Sequence, residues 1–218
     1  MLNKLYHLQK ICQEVSPFLL HFVIICDTFI AERVTNMNEI LKQIDYAIQY
    51  IWENDIKKDY DNYYLLKEDC LKNALYFHLR TKLSSFLEKN NLRIFTEFND
   101  SVFKGANRRA DMVIAKIDPD LPEAYLSDCV TEIICVIEIK NKNGTTASAE
   151  SIYKDYEKIK WYINNLNTNC HYYMATIWEQ TDKATTWTRK NAAWAKNRLT
   201  ELNASYEKDE MRFYISKH

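Results

Sequence analysis

The chain of 218 residues is long enough for one well-packed domain with an extension. Hydrophobic residues make up 47% and charged residues 27%, a globular composition that excludes a disordered chain. With Lys+Arg at 29 and Asp+Glu at 30, the net charge is -1, so any nucleic-acid contact has to come from a local basic patch.

Residues 1–36 read as an apolar, helical extension. The stretch FLLHFVIICDTFIA is interrupted by His21 and Asp27, and its unbroken part is shorter than the roughly 20 residues of a membrane span. Lys4 and Lys10 could form the basic region of a signal peptide, but no small-residue cleavage pattern follows. Met37 is an alternative start, because a clear amphipathic pattern begins just after it.

Residues 37–218 form the main domain. Asn38 can cap a helix running to about Asn54, with Ile40, Leu41, Ile44, Ala47, Ile48 and Ile51 on one stripe. The polar run DIKKDYDNYY, residues 55–64, reads as a turn, and a long helix is expected over 65–89. Residues 92–98 read as a strand, 99–107 as a hairpin-type loop around Gly105, and 109–116 as a second strand. After a proline-containing loop comes a third strand over 131–140. Its run from Ile133 to Ile137 has no polar member, which suits a strand covered on both faces. A helix over 147–166, a strand over 172–178, a helix over 183–206 and an edge strand over 211–216 complete the chain. This order predicts an α/β fold, a three-layer sandwich with a central mixed sheet flanked by helices.

Gly105 and Gly144 are the only glycines, which removes every glycine-rich phosphate loop. Cys12, Cys26, Cys70, Cys129, Cys135 and Cys170 form no CxxC pair and no zinc spacing with a His pair. They read as mostly buried free thiols of a reducing, cytoplasmic compartment. Cys170 and His171 are adjacent on a strand and point to opposite faces, which argues against a catalytic dyad. The five histidines show no metal spacing, and His78 reads as a structural helix residue. Tyr60, Tyr63, Tyr64, Tyr172, Tyr173, Trp187 and Trp194 are expected to complete packing rather than to stack on bases.

Three ionisable positions stand where a sheet protein rarely places them. Asp111 enters the second strand behind Arg108 and Arg109. Glu138 and Lys140 close the third strand on one face, in line with Ile134 and Val136. A carboxylate and an ammonium at the end of a buried apolar row are costly unless used or paired. If the two strands are neighbours, Asp111 and Glu138 converge within metal-bridging reach. Hard carboxylates suit Mg²⁺ or Mn²⁺, which prefer oxygen ligands and keep waters. Such an ion activates a bound water, and a lysine ammonium can orient that water or stabilise the developing charge. The reaction class is metal-dependent phosphodiester hydrolysis.

Glu68 shares a helix face with Leu71, Leu75, Leu79 and Phe86, so it should point to the sheet edge; the alternative is an i,i+4 pair with Lys72. Glu97 is a competing carboxylate, either a supporting acid in the same pocket or a solvated edge residue.

The run Glu68 … Arg108-Arg109-Ala110-Asp111 … Glu138-Ile139-Lys140 resembles the PD-(D/E)xK nuclease superfamily. That superfamily has an αβββαβ core with a helix glutamate, a strand aspartate and an ExK on the following strand. Ala110 stands where the founding motif has proline, and the stretch from Asp111 to Glu138 is longer than in the shortest members. Asp155 and Lys158 in YKDYEKIKWYI are similar to the superfamily's Asp-x-x-Lys. The resemblance implies a restriction-endonuclease-like fold, with Asp111, Glu138 and Ile139 holding Mg²⁺ or Mn²⁺. Lys140 would position or activate the attacking water, and Glu68 would be the auxiliary carboxylate. It further implies an endonuclease or exonuclease acting on DNA rather than RNA, in defence or mobile-element biology by analogy.

Arg108, Arg109, Lys142 and Lys158, with Lys104 nearby, would hold the phosphate backbone; a solvated rim is the alternative. No helix-turn-helix or zinc finger is attached, so specificity would come from loops, a homodimer or a partner subunit. The alternative function is an inactive nuclease-fold module that binds nucleic acid or a protein.

Overall fold

Six strands form one sheet in the order of the chain. The computed structural model describes residues 37–99, 109–121, 125–143, 149–166, 169–179, 187–188 and 192–218. The strands are β1 (Leu92–Phe98), β2 (Ala110–Ile117), β3 (Val130–Lys142), β4 (His171–Trp178), β5 (Leu199–Glu207) and β6 (Glu210–Lys217). The pairs β1/β2, β2/β3 and β5/β6 are antiparallel, while β3/β4 and β4/β5 are parallel. The helices are α1 over residues 37–50, α2 (Lys57–Asp61), α3 (Glu68–Lys82), α4 (Ser84–Lys89) and α5 (Glu150–Asn165). The protein is therefore α/β with a mixed sheet. Residues Ile44–His218 form one compact unit that carries the sheet; residues 37–43 are helical and belong to the other unit, Met1–Gln43. The expected 1–36 extension and the loop around Gly105 lie outside the described residues.

Three local expectations are corrected. The segment read as a turn at 55–64 is helical as far as Asp61, through a π-helical stretch Ile51–Ile56 and then α2. Ile51, Trp52 and Ile56 are all fully buried, and the wider winding keeps Trp52 and Ile56 on the same side. Trp52 Nε1 donates to the Asn203 carbonyl at 3.2 Å, while the charges of this segment stay outside, with Lys57 and Asp61 paired at 2.8 Å. The single helix expected over 65–89 breaks at Leu83, whose φ of -101 and ψ of 6 are not helical. Leu71, Leu75 and Leu79 form its buried stripe, as the spacing predicts.

The largest correction is the helix expected over 183–206. Its second half is strand β5, preceded by a turn in which Lys196 and Asn197 take positive φ. Helix formers such as Ala, Glu and Leu suggest a helix here. Yet β5 is an inner strand, and Leu199 to Ser205 are buried on both faces, so neither strand alternation nor solvent-side polarity is visible. The β3 run from Ile133 to Ile137 is buried throughout, as expected.

A parallel step needs a crossover, and α5 supplies the one from β3 to β4. Ile152, Ile159, Tyr162 and Ile163 of α5 form one apolar cluster with Val113, Val136, Tyr172 and Met174 of the sheet. On the opposite face the Tyr173 hydroxyl donates to Asp45 of α1 at 3.0 Å. Cys70, Cys129, Cys135 and Cys170 are free thiols, of which Cys135 and Cys170 are buried. Burial pushes the Cys170 thiol well above its usual range, and its Sγ donates to the His171 carbonyl, so it is no nucleophile. His78 is tied to Asp59 at 2.8 Å, a structural contact. Among the described residues no helix is long and apolar enough to cross a membrane.

Candidate active site

Antiparallel pairing of Met112 with Ile137 brings the next residues, Asp111 and Glu138, side by side on the face that α5 covers. From α5, Asp155 reaches down onto the same place. One carboxylate oxygen each of Asp111, Glu138 and Asp155 lie within 4.8 Å of one another. Asp111 is fixed by the Ile139 backbone N–H, which donates to its Oδ2 at 2.8 Å. Glu138 is 0% exposed, and its Oε1 has no hydrogen-bond partner among the described residues. Burial pushes the Glu138 carboxyl well above the ordinary range; Asp111 and Asp155 push the same way and Lys158 opposes them.

Two ammonium groups enter this cluster. Lys158 Nζ lies 2.5 Å from Glu138 Oε2 and 3.8 Å from Asp155 Oδ1, and it donates to the Arg109 carbonyl at 2.9 Å. Lys140 Nζ lies 3.0 Å from Asp155 Oδ2, 3.1 Å from Glu68 Oε1 and 4.0 Å from Asp111 Oδ2. Burial works to lower the Lys140 pKa, but Asp155, Asp111 and Glu68 outweigh it and hold Lys140 above the ordinary lysine value. Lys140 is therefore a cation at neutral pH. It also donates to the Ile139 carbonyl at 2.8 Å, so that expected metal ligand is engaged by lysine here.

The structure thus brings Glu68, Asp111, Glu138, Ile139 and Lys140 to one place. Glu68 stands on the first turn of α3, and Lys72, its alternative partner, instead pairs with Asp69 at 3.0 Å and with Glu97. Glu97 is outside the cluster. It sits at a positive φ of 54 on β1, bound to Lys72 and to Arg109 Nε. The hydrogen bond from Lys72 is the main reason its carboxyl lies below the usual range.

The expected phosphate contacts divide. The Arg109 side chain turns to Glu97, and Lys158 is drawn into the cluster instead of facing outward. Lys142 ends β3, with its carbonyl accepting the Glu179 N–H at 2.9 Å. Arg108 and Lys104 lie outside the described residues. Asp155 is the carboxylate not assigned from sequence as a ligand. Its signal was the spacing to Lys158 on an amphipathic helix, which puts both on one face. Tyr63 and Tyr64, expected in packing, are exposed.

Comparison with protein-family models, with curated proteins and with solved structures finds no match to this chain.

The donor set fits a hard divalent cation. Three carboxylates converge, and a buried Glu138 oxygen without a partner is an expensive group to leave unused.

Proposed function

We propose that the protein is a metal-dependent nuclease of the PD-(D/E)xK type, hydrolysing phosphodiester bonds, with DNA as the first substrate to test. The observation that carries this reading is the Asp111–Glu138–Asp155 convergence beside Lys140, together with the buried, unpartnered Oε1 of Glu138. The order α3, β1, β2, β3, α5, β4 supports a restriction-endonuclease-like αβββαβ core, in which helices on the two sheet faces would make the sandwich. Asp111, Glu138 and Asp155 would hold Mg²⁺ or Mn²⁺, which when bound lowers the pKa of a coordinated water and polarises a phosphoryl oxygen.

The chain's own residues divide the remaining work. Water attacks phosphorus and gives up a proton to solvent, the P–O bond to the leaving oxygen breaks and that oxygen takes up a proton from solvent, and negative charge grows on the phosphoryl oxygens on the way. Lys140, kept protonated by Asp155, Asp111 and Glu68, acts as a hydrogen-bond donor that orients the water and offsets that charge. It is not a proton acceptor in this state. Glu68 restrains the Lys140 ammonium from the far side of the cluster, and the Ile139 N–H restrains Asp111. Lys142 and the basic segment around Arg108 would supply backbone contacts, giving salt-sensitive binding without sequence readout.

The competing reading is a structural ion-pair cluster. The unpartnered, fully buried Glu138 oxygen counts against it, since a structural network satisfies its members. The test is a cleavage assay with plasmid, linear and single-stranded DNA and with RNA, in Mg²⁺, Mn²⁺ and EDTA. Cleavage that needs metal and disappears in Lys140→Ala supports the proposal. No cleavage with any substrate, by a protein that still retains DNA on a gel, would turn it to a binding module.

A further inference from the structure

The parallel strands β3, β4 and β5 end side by side, and a cavity of about 490 Å³ opens just past them. Asn143, Glu179 and Tyr206 line it from those three strand ends. The crevice beyond the carboxyl ends of parallel strands is where open α/β sheets take ligands, and the volume is that of a small-molecule site. Its floor is apolar, with Leu65 and Met211 both buried. Its walls are aromatic: Tyr60, Tyr206 and, at the rim, Tyr63, which is 87% exposed.

The charges around this cavity have one sign. Asp61, Glu179, Asp209 and Glu210 line it, and among the described residues no Lys, Arg or His does. Asp61 is neutralised from outside by Lys57 at 2.8 Å, and Glu210 by Arg212 at 3.1 Å. Glu179 and Asp209 have no ion-pair partner among the described residues. Tyr60 donates its hydroxyl to Glu179 Oε1 at 2.9 Å and lies 3.2 Å from the Tyr206 hydroxyl. Burial, Tyr206 and Glu179 all raise the Tyr60 pKa, so the Tyr60 hydroxyl stays protonated and donates to Glu179. That bond fixes one Glu179 oxygen and leaves the other to a ligand.

We propose that this cavity binds a small organic cation of the amine class. Tyrosine faces attract an ammonium group, the apolar floor takes its methylenes, and Glu179 with Asp209 provides two unneutralised charges, which suits a diamine. A polyanion is repelled, so the cavity is not an arm of the nucleic-acid site. It shares no lining residue with the Asp111–Glu138–Asp155 cluster, and the two readings stand or fall separately.

The experiment is calorimetric titration of the full chain in EDTA with putrescine, and with glutarate as an anion of similar length. Saturable one-to-one binding of putrescine and none of glutarate is expected. Glu179→Gln and Asp209→Asn should each weaken it by about tenfold, since each removes one charge contact. Glu138→Gln should leave it unchanged. Three results would overturn the proposal: no saturation by about 10 mM putrescine with folded protein, the same affinity in both cavity variants, or loss in Glu138→Gln alone. The last would put the amine in the carboxylate cluster instead. Matching circular dichroism spectra guard against a variant that fails to fold.

Discussion

Glu138→Gln should stabilise the metal-free protein while abolishing cleavage. The carboxylate is fully buried, and one of its oxygens lies within 4.8 Å of Asp111 and Asp155. At an effective dielectric constant of about 20, each repulsion is worth about 3.5 kcal/mol at that separation. The attraction to Lys158 at 2.5 Å is worth about 6.6 kcal/mol on the same scale. The two sides nearly cancel, so the burial penalty, several kcal/mol per ion, is left unopposed and drives Glu138 toward its neutral form. Glutamine copies the shape of that form without a proton to gain. Lys158 keeps the Arg109 carbonyl at 2.9 Å and Asp155 at 3.8 Å.

The expected gain is about 1–2 kcal/mol, a rise of roughly 2–8 °C in melting temperature for a chain of this size. The assay is urea and thermal unfolding in EDTA at pH 7, followed by circular dichroism. Mg²⁺ at about 100 times its Kd should then add about 2.7 kcal/mol to the wild type and far less to the variant. A Gln variant less stable than wild type in EDTA would refute the reasoning and make Glu138 a structural partner of Lys158.

Three further outcomes follow from the same geometry. Lys158→Met should cost about 3 kcal/mol in urea unfolding, because it strands a buried carboxylate, and Glu138→Gln in the same chain should recover most of it; simple additivity would deny the coupling. Asp155→Asn should lower metal-dependent cleavage by about a hundredfold with the fold intact, and full activity in that variant would remove Asp155 from the metal set. His171 is held neutral by burial, its pKa pushed down to about 4, and its ring bonds Thr200 at 2.9 Å. The unfolded chain binds the proton more readily, so this group's contribution is complete above about pH 6.5 and is lost as pH falls toward 4, by about 3 kcal/mol at the limit. Urea midpoints at pH 7 and 4.5 should therefore draw together in His171→Gln, and an unchanged gap would deny the role.

What could be read from the sequence divides along how local the signal is. The helix α5 announces itself by its period and the strands β3 and β4 by unbroken runs of β-branched, aromatic and other apolar residues, and the mixed sheet follows from the order of the elements. β5 hides because both of its faces are covered, so Thr200, Glu201, Asn203 and Ser205 sit buried where a period-two pattern would leave them outside. Glu201 is tolerated there only because the N–H groups of Trp187 and Thr188, 14 and 13 residues upstream, and the Asn203 amide on the same strand donate to it. Those bonds depend on how the 187–188 segment folds back onto the strand, which no periodicity encodes. The helical turn at Ile51–Ile56 fails in the same way: its winding answers to Asn203, whose place is set by the sheet.

The site shows the same boundary at the scale of single charges. Asp111, Glu138 and Lys140 are legible because strand alternation alone puts them on a face. Asp155 and Lys158 are picked out only by their resemblance to an Asp-x-x-Lys pair, and their places inside the cluster are not legible, because a helical Asp and Lys three residues apart look like a solvated pair until a buried carboxylate is known to lie beneath them. With all six residues in place, the charges do not balance. Glu68, Asp111, Glu138 and Asp155 supply four carboxylates against the two ammonium groups of Lys140 and Lys158. An ion-pair network kept for stability gains nothing from an excess of buried like charge, because each uncompensated carboxylate adds desolvation cost. With Glu138 ionised the excess is two charges, that of one divalent cation; without a cation Glu138 sheds one of them by holding a proton, and it also carries the oxygen that lacks a partner. That coincidence of charge, position and unused acceptor is why a bound cation explains the cluster better than the fold does.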